Sequence, residues 1–177
     1  MADNLHTIQT NRLTLRALTP EVYDEIFKLS KREIMNFLGL NSDDEYENEL
    51  KRFKQGMHTY NRSFLNFQLI ENSSQRIIGW CGFHTWYLDH DRAELGYSLR
   101  SDDLKRKGYM SEALPPILDY GFSTMKLHRI EALASPKNIP SIKLLQANQF
   151  TQEGLLKEHY LINGTYEDSV IYSLIKN

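Results

Sequence analysis

The sequence contains a single cysteine, Cys81, in 177 residues. One thiol closes no intrachain disulfide and builds no cysteine-based zinc site, which removes disulfide scaffolds and zinc fingers. The histidines His6, His58, His84, His90, His128 and His159 lack the close spacing of a metal centre, so no metal is expected. Nowhere does an apolar run approach the roughly 18 residues of a membrane-spanning helix. The opening Met-Ala-Asp-Asn-Leu-His lacks the basic-then-apolar order of an export signal. Neither sign of charge dominates: 21 basic against 23 acidic residues leave a net charge of -2, with no global field for nucleic acid. A local basic patch stays open. These absences predict a cytoplasmic protein with a reduced thiol and neither nucleic acid nor membrane as a direct partner.

What is present is the composition of an ordinary globular protein, 41% hydrophobic and 25% charged. The length suits one domain, expected over residues 8–177 with residues 1–7 as a short extension. Thr10 to Ala17 alternates as a half-buried strand, and Thr19-Pro20-Glu21 reads as a capped helix start. A second helix is predicted from Ser42 to about Met57. Leu65–Glu71, Arg76–Trp86 and Arg92–Arg100 read as three strands of an antiparallel meander. In the last of these, Ala93, Leu95, Tyr97 and Leu99 share one face, and Glu94, Gly96 and Ser98 the other. A loop from Ser101 to Lys107 leads to a helix from Gly108 to about Met125. Strand Arg129–Ala134, helix Asn138–Asn148 and strand Thr151–Ile162 follow, then an Asn163-Gly164 hairpin turn and a last strand over Ser169–Ile175. This order predicts an α/β fold with a mixed, mostly antiparallel sheet flanked by helices. Pro115-Pro116 conflicts with it, since each costs about 3 kcal/mol inside a helix; the expectation is a kink or a break.

The most informative segment is Lys105-Arg106-Lys107-Gly108-Tyr109-Met110-Ser111, which sets three cations and a glycine between a strand and a helix. Amides at a helix N-terminus are unpaired and partly positive, and glycine lets the backbone approach a ligand. Such a site suits a pyrophosphate. A solvated charge cluster with a turn glycine explains the same residues about equally well. A nucleotide-binding loop is disfavoured by the missing Walker pattern.

The order of elements, together with Ala93-Glu94-Leu95-Gly96-Tyr97, the basic loop with Gly108, and Asn138-x-x-Ser141 before Asn148-Gln149-Phe150, resembles the GCN5-related N-acetyltransferase (GNAT) family. Within it the likeness is to the RimJ/RimL-type branch, supported by Thr10-Asn11-Arg12-Leu13-Thr14-Leu15-Arg16 at the start and by Asn163-Gly164, Asp168 and Tyr172 at the end. The resemblance implies a sheet splayed between Arg92–Arg100 and Arg129–Ala134 to admit acetyl-CoA as cosubstrate. It implies that Lys105, Arg106, Lys107, Gly108, Tyr109, Met110 and Ser111 hold the pyrophosphate, that Tyr97, Ser98 and Leu99 pair with the pantetheine arm, and that Asn138 and Ser141 contact that arm and its sulfur. The loop departs from the family at Lys105, usually glutamine or arginine, and at Met110, usually small. Asn138 and Ser141 also read as the cap and first turn of a helix.

Acetyl transfer needs an unprotonated amine, whereas α-amines and lysine amines have pKa values of about 8 and 10.4. Glu94, on the polar face of its strand, is the candidate base, with a plain surface carboxylate or a partner for Arg92 as the alternative. Ser141 is the candidate donor to the leaving thiolate. The implied acceptor is a primary amine: a protein N-terminus, as in ribosomal-protein acetylation, a polyamine or another small amine. Trp80, Trp86, Tyr87, Tyr160 and Tyr166 are candidate acceptor contacts or simply core, and the acidic run Asp43–Glu49 either attracts a cation or starts a helix. A glutamate that some relatives carry after Glu153-Gly154-x-x-Lys157 is displaced or missing, with Tyr160 nearby. The alternative function is a non-catalytic acyl-CoA sensor or scaffold on the same fold. A homodimer is compatible with the family, though no residue marks an interface.

Overall fold

The structure is a computed structural model and describes residues 5–176 apart from 57 and 60. Two short strands, Thr7–Gln9 (β1) and Leu13–Leu18 (β2), open the chain. The single strand expected from Thr10 is therefore divided, and Thr7, assigned to the extension, is already in the sheet. The reason is local: the Thr10 hydroxyl accepts from the Leu13 amide at 3.0 Å, which turns the backbone between the strands.

Three helices follow: α1 (Pro20–Ile26), α2 (Lys31–Leu38) and α3 (Asp43–Lys54). The Thr19 side chain caps α1, with Pro20 in its first turn, as expected. Helix α2 was not expected, although Ser30-Lys31-Arg32-Glu33 is a capping box in which the Ser30 hydroxyl accepts from the Glu33 amide and the Glu33 carboxylate from the Ser30 amide. The end predicted for α3, Met57, lies outside the described residues. These helices bury Tyr23, Ile26, Ile34 and Leu38 against Leu18 and Phe64.

Strands β3 (Arg62–Glu71), β4 (Ile77–Tyr87) and β5 (Arg92–Leu99) form the expected meander. Then come α4 (Tyr109–Ser123), β6 (Arg129–Ala134), α5 (Ile139–Ala147), β7 (Thr151–Ile162) and β8 (Thr165–Ile175). The last strand starts earlier than expected because Asn163 and Gly164, both at positive φ, make a two-residue turn that lets pairing begin at once. The sheet order is β1-β2-β3-β4-β5-β6-β8-β7, and among the described residues only β5 and β6 run parallel.

One face of the sheet is apolar: Leu15, Phe67, Phe83, Leu95 and Ile130 pack under Leu114 and Ile117 of α4. Cys81 is buried there, as expected of a core residue. Neither a break nor a second helix appears at Pro115-Pro116, and α4 runs through both. Pro115 and Ser111 are exposed, so water reaches the Ser111 carbonyl that loses its helical donor. Complete burial of Leu114 and Ile117, at about 1.5–3 kcal/mol each, offsets the proline cost.

Candidate active site

β5 and β6 pair only through Arg92–Arg129, Ala93–Ile130 and Glu94–Glu131. Beyond Glu94, β5 stays on β4 as far as Leu99, while β6 follows β8 to Ala134, so the two diverge. Their facing backbone edges are left without strand partners. The wedge between them opens into a cavity of about 590 Å³ lined by Tyr97, Leu99, Gly108, Met110, Asn138 and Ser141, among others.

At the outer end of the wedge, Gly108 sits at φ +80° as the N-cap of α4, and no side chain caps that helix. Its first-turn amides therefore point outward with the positive end of the helix dipole. Ser98, Lys105, Arg106, Tyr109 and Ser111 also line the cavity. Lys105 pairs with Asp102 at 2.5 Å. Lys107, counted with the other loop cations, does not line the cavity. Its carbonyl accepts from Arg12 Nη1 at 2.9 Å, which holds that residue against the body of the protein. Arg12 Nε also donates to Glu112 at 2.6 Å, and Thr10 Oγ1 donates to the same carboxylate at 2.6 Å. These contacts fasten the basic loop from behind. Arg12 and Glu112 were not expected in this role, because they are 100 residues apart in the chain.

At the inner end, the hydroxyls of Tyr97 and Ser141 lie 2.6 Å apart across the opening. Burial pushes the Tyr97 phenol above its ordinary pKa, opposed by this hydrogen bond, so Tyr97 remains a proton-bearing donor. Asn138 Oδ1 accepts from the Ser141 amide at 3.2 Å, which fixes Asn138 as the cap of α5.

Glu94 is not in the lining. It stands at the apex of the wedge, in the last β5–β6 pair, on the sheet face opposite Tyr97. His84, its cross-strand neighbour on β4, places Nε2 3.8 Å from Glu94 Oε1. Gly96 makes room for this arrangement: a Cβ there would stand 2.9 Å from both His84 Nε2 and Trp80 Cη2. Burial above all raises the Glu94 pKa, with Glu131 adding to the rise and His84, His159 and Arg92 opposing it. Arg92 does not pair with Glu94; it and Arg129 hold Glu131 at 2.8 and 2.7 Å. His84, Glu131 and His159 escaped sequence analysis. The meander register from the Asp89–Asp91 turn places His84 opposite Glu94, whereas the other two depend on how β6 and β7 are added.

The pattern of the acetyltransferase (GNAT) domain matches residues 12–151. An uncharacterised N-acetyltransferase of Bacillus licheniformis is 33% identical over 175 residues, 97% of either chain. The chain belongs to the GNAT acetyltransferase family. A ribosomal protein uS5-alanine N-acetyltransferase of Escherichia coli is 34% identical over 122 residues, 68% of this chain and 59% of that one. The solved structure of a spermidine/spermine N-acetyltransferase of Vibrio cholerae superposes with a TM-score of 0.68 at 22% identity, covering 93% of this chain and 92% of that one, and shares the fold.

Membership in the GNAT family makes the protein an N-acetyltransferase and implies acetyl-CoA as its cosubstrate. The residues present suit that molecule: uncapped amides and cations at one end of the wedge, an open strand edge along its side, and a half-buried hydroxyl pair within. Met110 packs partly against the core, so its bulk is directed partly away from the cavity it borders. Glu153 has a structural setting. Arg129 and then Ser173 hold its carboxyl down at about 2, and they join β6 and β8 to β7.

Proposed function

We propose that this acetyltransferase moves the acetyl group of acetyl-CoA directly to a primary amine, without a covalent enzyme intermediate. The wedge carries this reading, because it leads from the uncapped amides of α4 to the last β5–β6 pair, from which Glu94 projects on the other face of the sheet. Acetyl-CoA supplies the acetyl group as an activated thioester. The α4 amides, Lys105 and Arg106 hold its pyrophosphate, and Gly108 lets the backbone come close. Tyr97, Ser98 and Leu99 pair their open backbone edge with the pantetheine arm, as with an added strand, and Asn138 contacts the same arm.

Glu94 takes the proton that leaves the amine as the N–C bond forms; its raised pKa makes it a better base than an ordinary carboxylate. A backbone N–H in the Tyr97–Leu99 segment faces the negative charge developing on the carbonyl oxygen. Ser141, backed by Tyr97, donates to the sulfur as the C–S bond breaks. Cys81 takes no part, since burial keeps it inaccessible and raises its pKa. The names of relatives point to two acceptor classes, a polyamine and a ribosomal-protein alanine; both present primary amines.

Calorimetric titration with acetyl-CoA, and in parallel with ATP, tests the cosubstrate site. Micromolar binding of acetyl-CoA without ATP binding supports it, and no acetyl-CoA binding at millimolar concentration overturns it. Amine-dependent release of CoA then separates an enzyme from a sensor that binds without turnover.

A further inference from the structure

On the Glu94 face of the sheet a second cavity, about 350 Å³, lies between the end of α3 and the outer parts of β3 and β4. Its walls include Arg52, Arg62, Asn66 and His84, and no carboxylate among the described residues lines it. His84 is shared with the candidate base, 3.8 Å from Glu94 Oε1, so this cavity begins where the proton would be accepted.

Both guanidiniums are anchored without being used up. Arg52 Nη1 donates to Glu49 at 3.0 Å, and Arg62 donates to the Tyr87 hydroxyl while lying 4.7 Å above that ring's centre. Each guanidinium has five N–H donors in a fork that fits a carboxylate. Part of the acidic run of α3 is engaged locally, while Asp44 and Glu47 are exposed and none of the run lines the cavity. Asp43 pairs with Lys31 at 3.1 Å, the Asn41 amide donates to Glu45 at 2.7 Å, and Tyr23 and Arg52 share Glu49. Asn66 Oδ1, on the cavity wall, is buried with no hydrogen-bond partner among the described residues, and turning its amide would offer a bound molecule a donor or an acceptor.

The charges at the two ends are opposite: Glu94 at the sheet, Arg62 and the Glu49-paired Arg52 at the mouth. A polyamine would set its second cation against the Arg62 guanidinium, which disfavours it. We infer that the acceptor amine carries a carboxylate, which Arg62 and Arg52 hold while Glu94 receives the amine's proton. This inference rests on the acetyl-transfer reading above.

The test uses the whole protein with saturating acetyl-CoA and measures CoA release with matched acceptors. One pair is an amino acid and its carboxamide; another is a peptide beginning Ala-Asp and one beginning Ala-Asn; spermidine is the fifth. The expected result is a kcat/KM at least about tenfold higher for the acidic member of one pair, and which pair it is identifies the source of the carboxylate. Arg62→Gln brings that ratio close to one, and Arg62→Lys keeps part of it. Arg62 is exposed, so neither variant threatens the fold. Equal rates within both pairs, or a preference for spermidine, overturn this inference alone. Acetyl-CoA binding with no transfer to any amine overturns the acetyl-transfer reading as well.

Discussion

The hydroxyls of Tyr97 on β5 and Ser141 on α5, 2.6 Å apart, bridge the opening that divides the sheet. Either can donate to the other, so a sulfur beside Ser141 would draw on a proton relayed from a phenol whose pKa burial has raised.

If the two act as a unit, their substitutions are not additive. Ser141→Ala and Tyr97→Phe should each lower kcat about tenfold, a modest effect because a thiolate leaves readily. The double variant should be little slower than either single one. Steady-state kinetics on the three variants decides this; a product of the two single effects would mean that they act independently.

Glu94→Gln should lower kcat by about 10²–10⁴-fold while acetyl-CoA still binds. The same change should stabilise the protein at neutral pH. Burial raises the folded-state pKa of Glu94, so folding favours its neutral form. That contribution is complete below the unfolded carboxyl's pKa and is lost as pH rises through the folded value. Thermal unfolding should therefore show the variant above wild type at pH 8 and level with it near pH 4.

Arg106→Glu should weaken acetyl-CoA binding about tenfold by calorimetry, and less so at high salt. Lys107→Glu should have a smaller effect, because that residue does not line the cavity and its carbonyl is held by Arg12. Equal losses in the two variants would point to a diffuse field rather than a shaped site.

Acid should loosen the far side of the sheet. Arg129 and Ser173 hold Glu153 at about 2, well below its ordinary 4.5. Its contribution to stability is complete above 4.5 and is lost as pH falls toward 2. Amide protection in β7, taken relative to the intrinsic exchange rate at each pH, should fall across that window in wild type, and Glu153→Gln should show the lower protection already at neutral pH.

Periodicity and turn chemistry carried much of the fold. Alternation in Arg92–Leu99 set Glu94 and Tyr97 on opposite faces, and Asn163-Gly164 marked its hairpin, since both signals depend on neighbouring residues alone. Helix α2 was also legible, through Ser30 and Glu33 and the Ile34–Leu38 spacing, but at eight residues it is short enough to pass for part of a connection. Gly108 and the basic loop pointed to the outer end of the wedge for the same local reason: a helix start is written in a few consecutive residues.

Tertiary structure alone decided which of those residues meet. That pairing of β5 with β6 stops at Glu94, that Arg12 fastens a loop about a hundred residues away, and that Arg62 and His84 share a cavity depend on contacts whose spacing has no period. Pro115 and Pro116 show the same division. Their local preference opposes a helix, and the burial of Leu114 and Ile117 beneath the sheet outweighs it. Local preferences were enough for most elements and their faces, because backbone and side-chain propensities act within a few residues. The wedge, the half-buried carboxylate and the cationic mouth came from packing, where burial and charge act between segments that the chain order keeps apart.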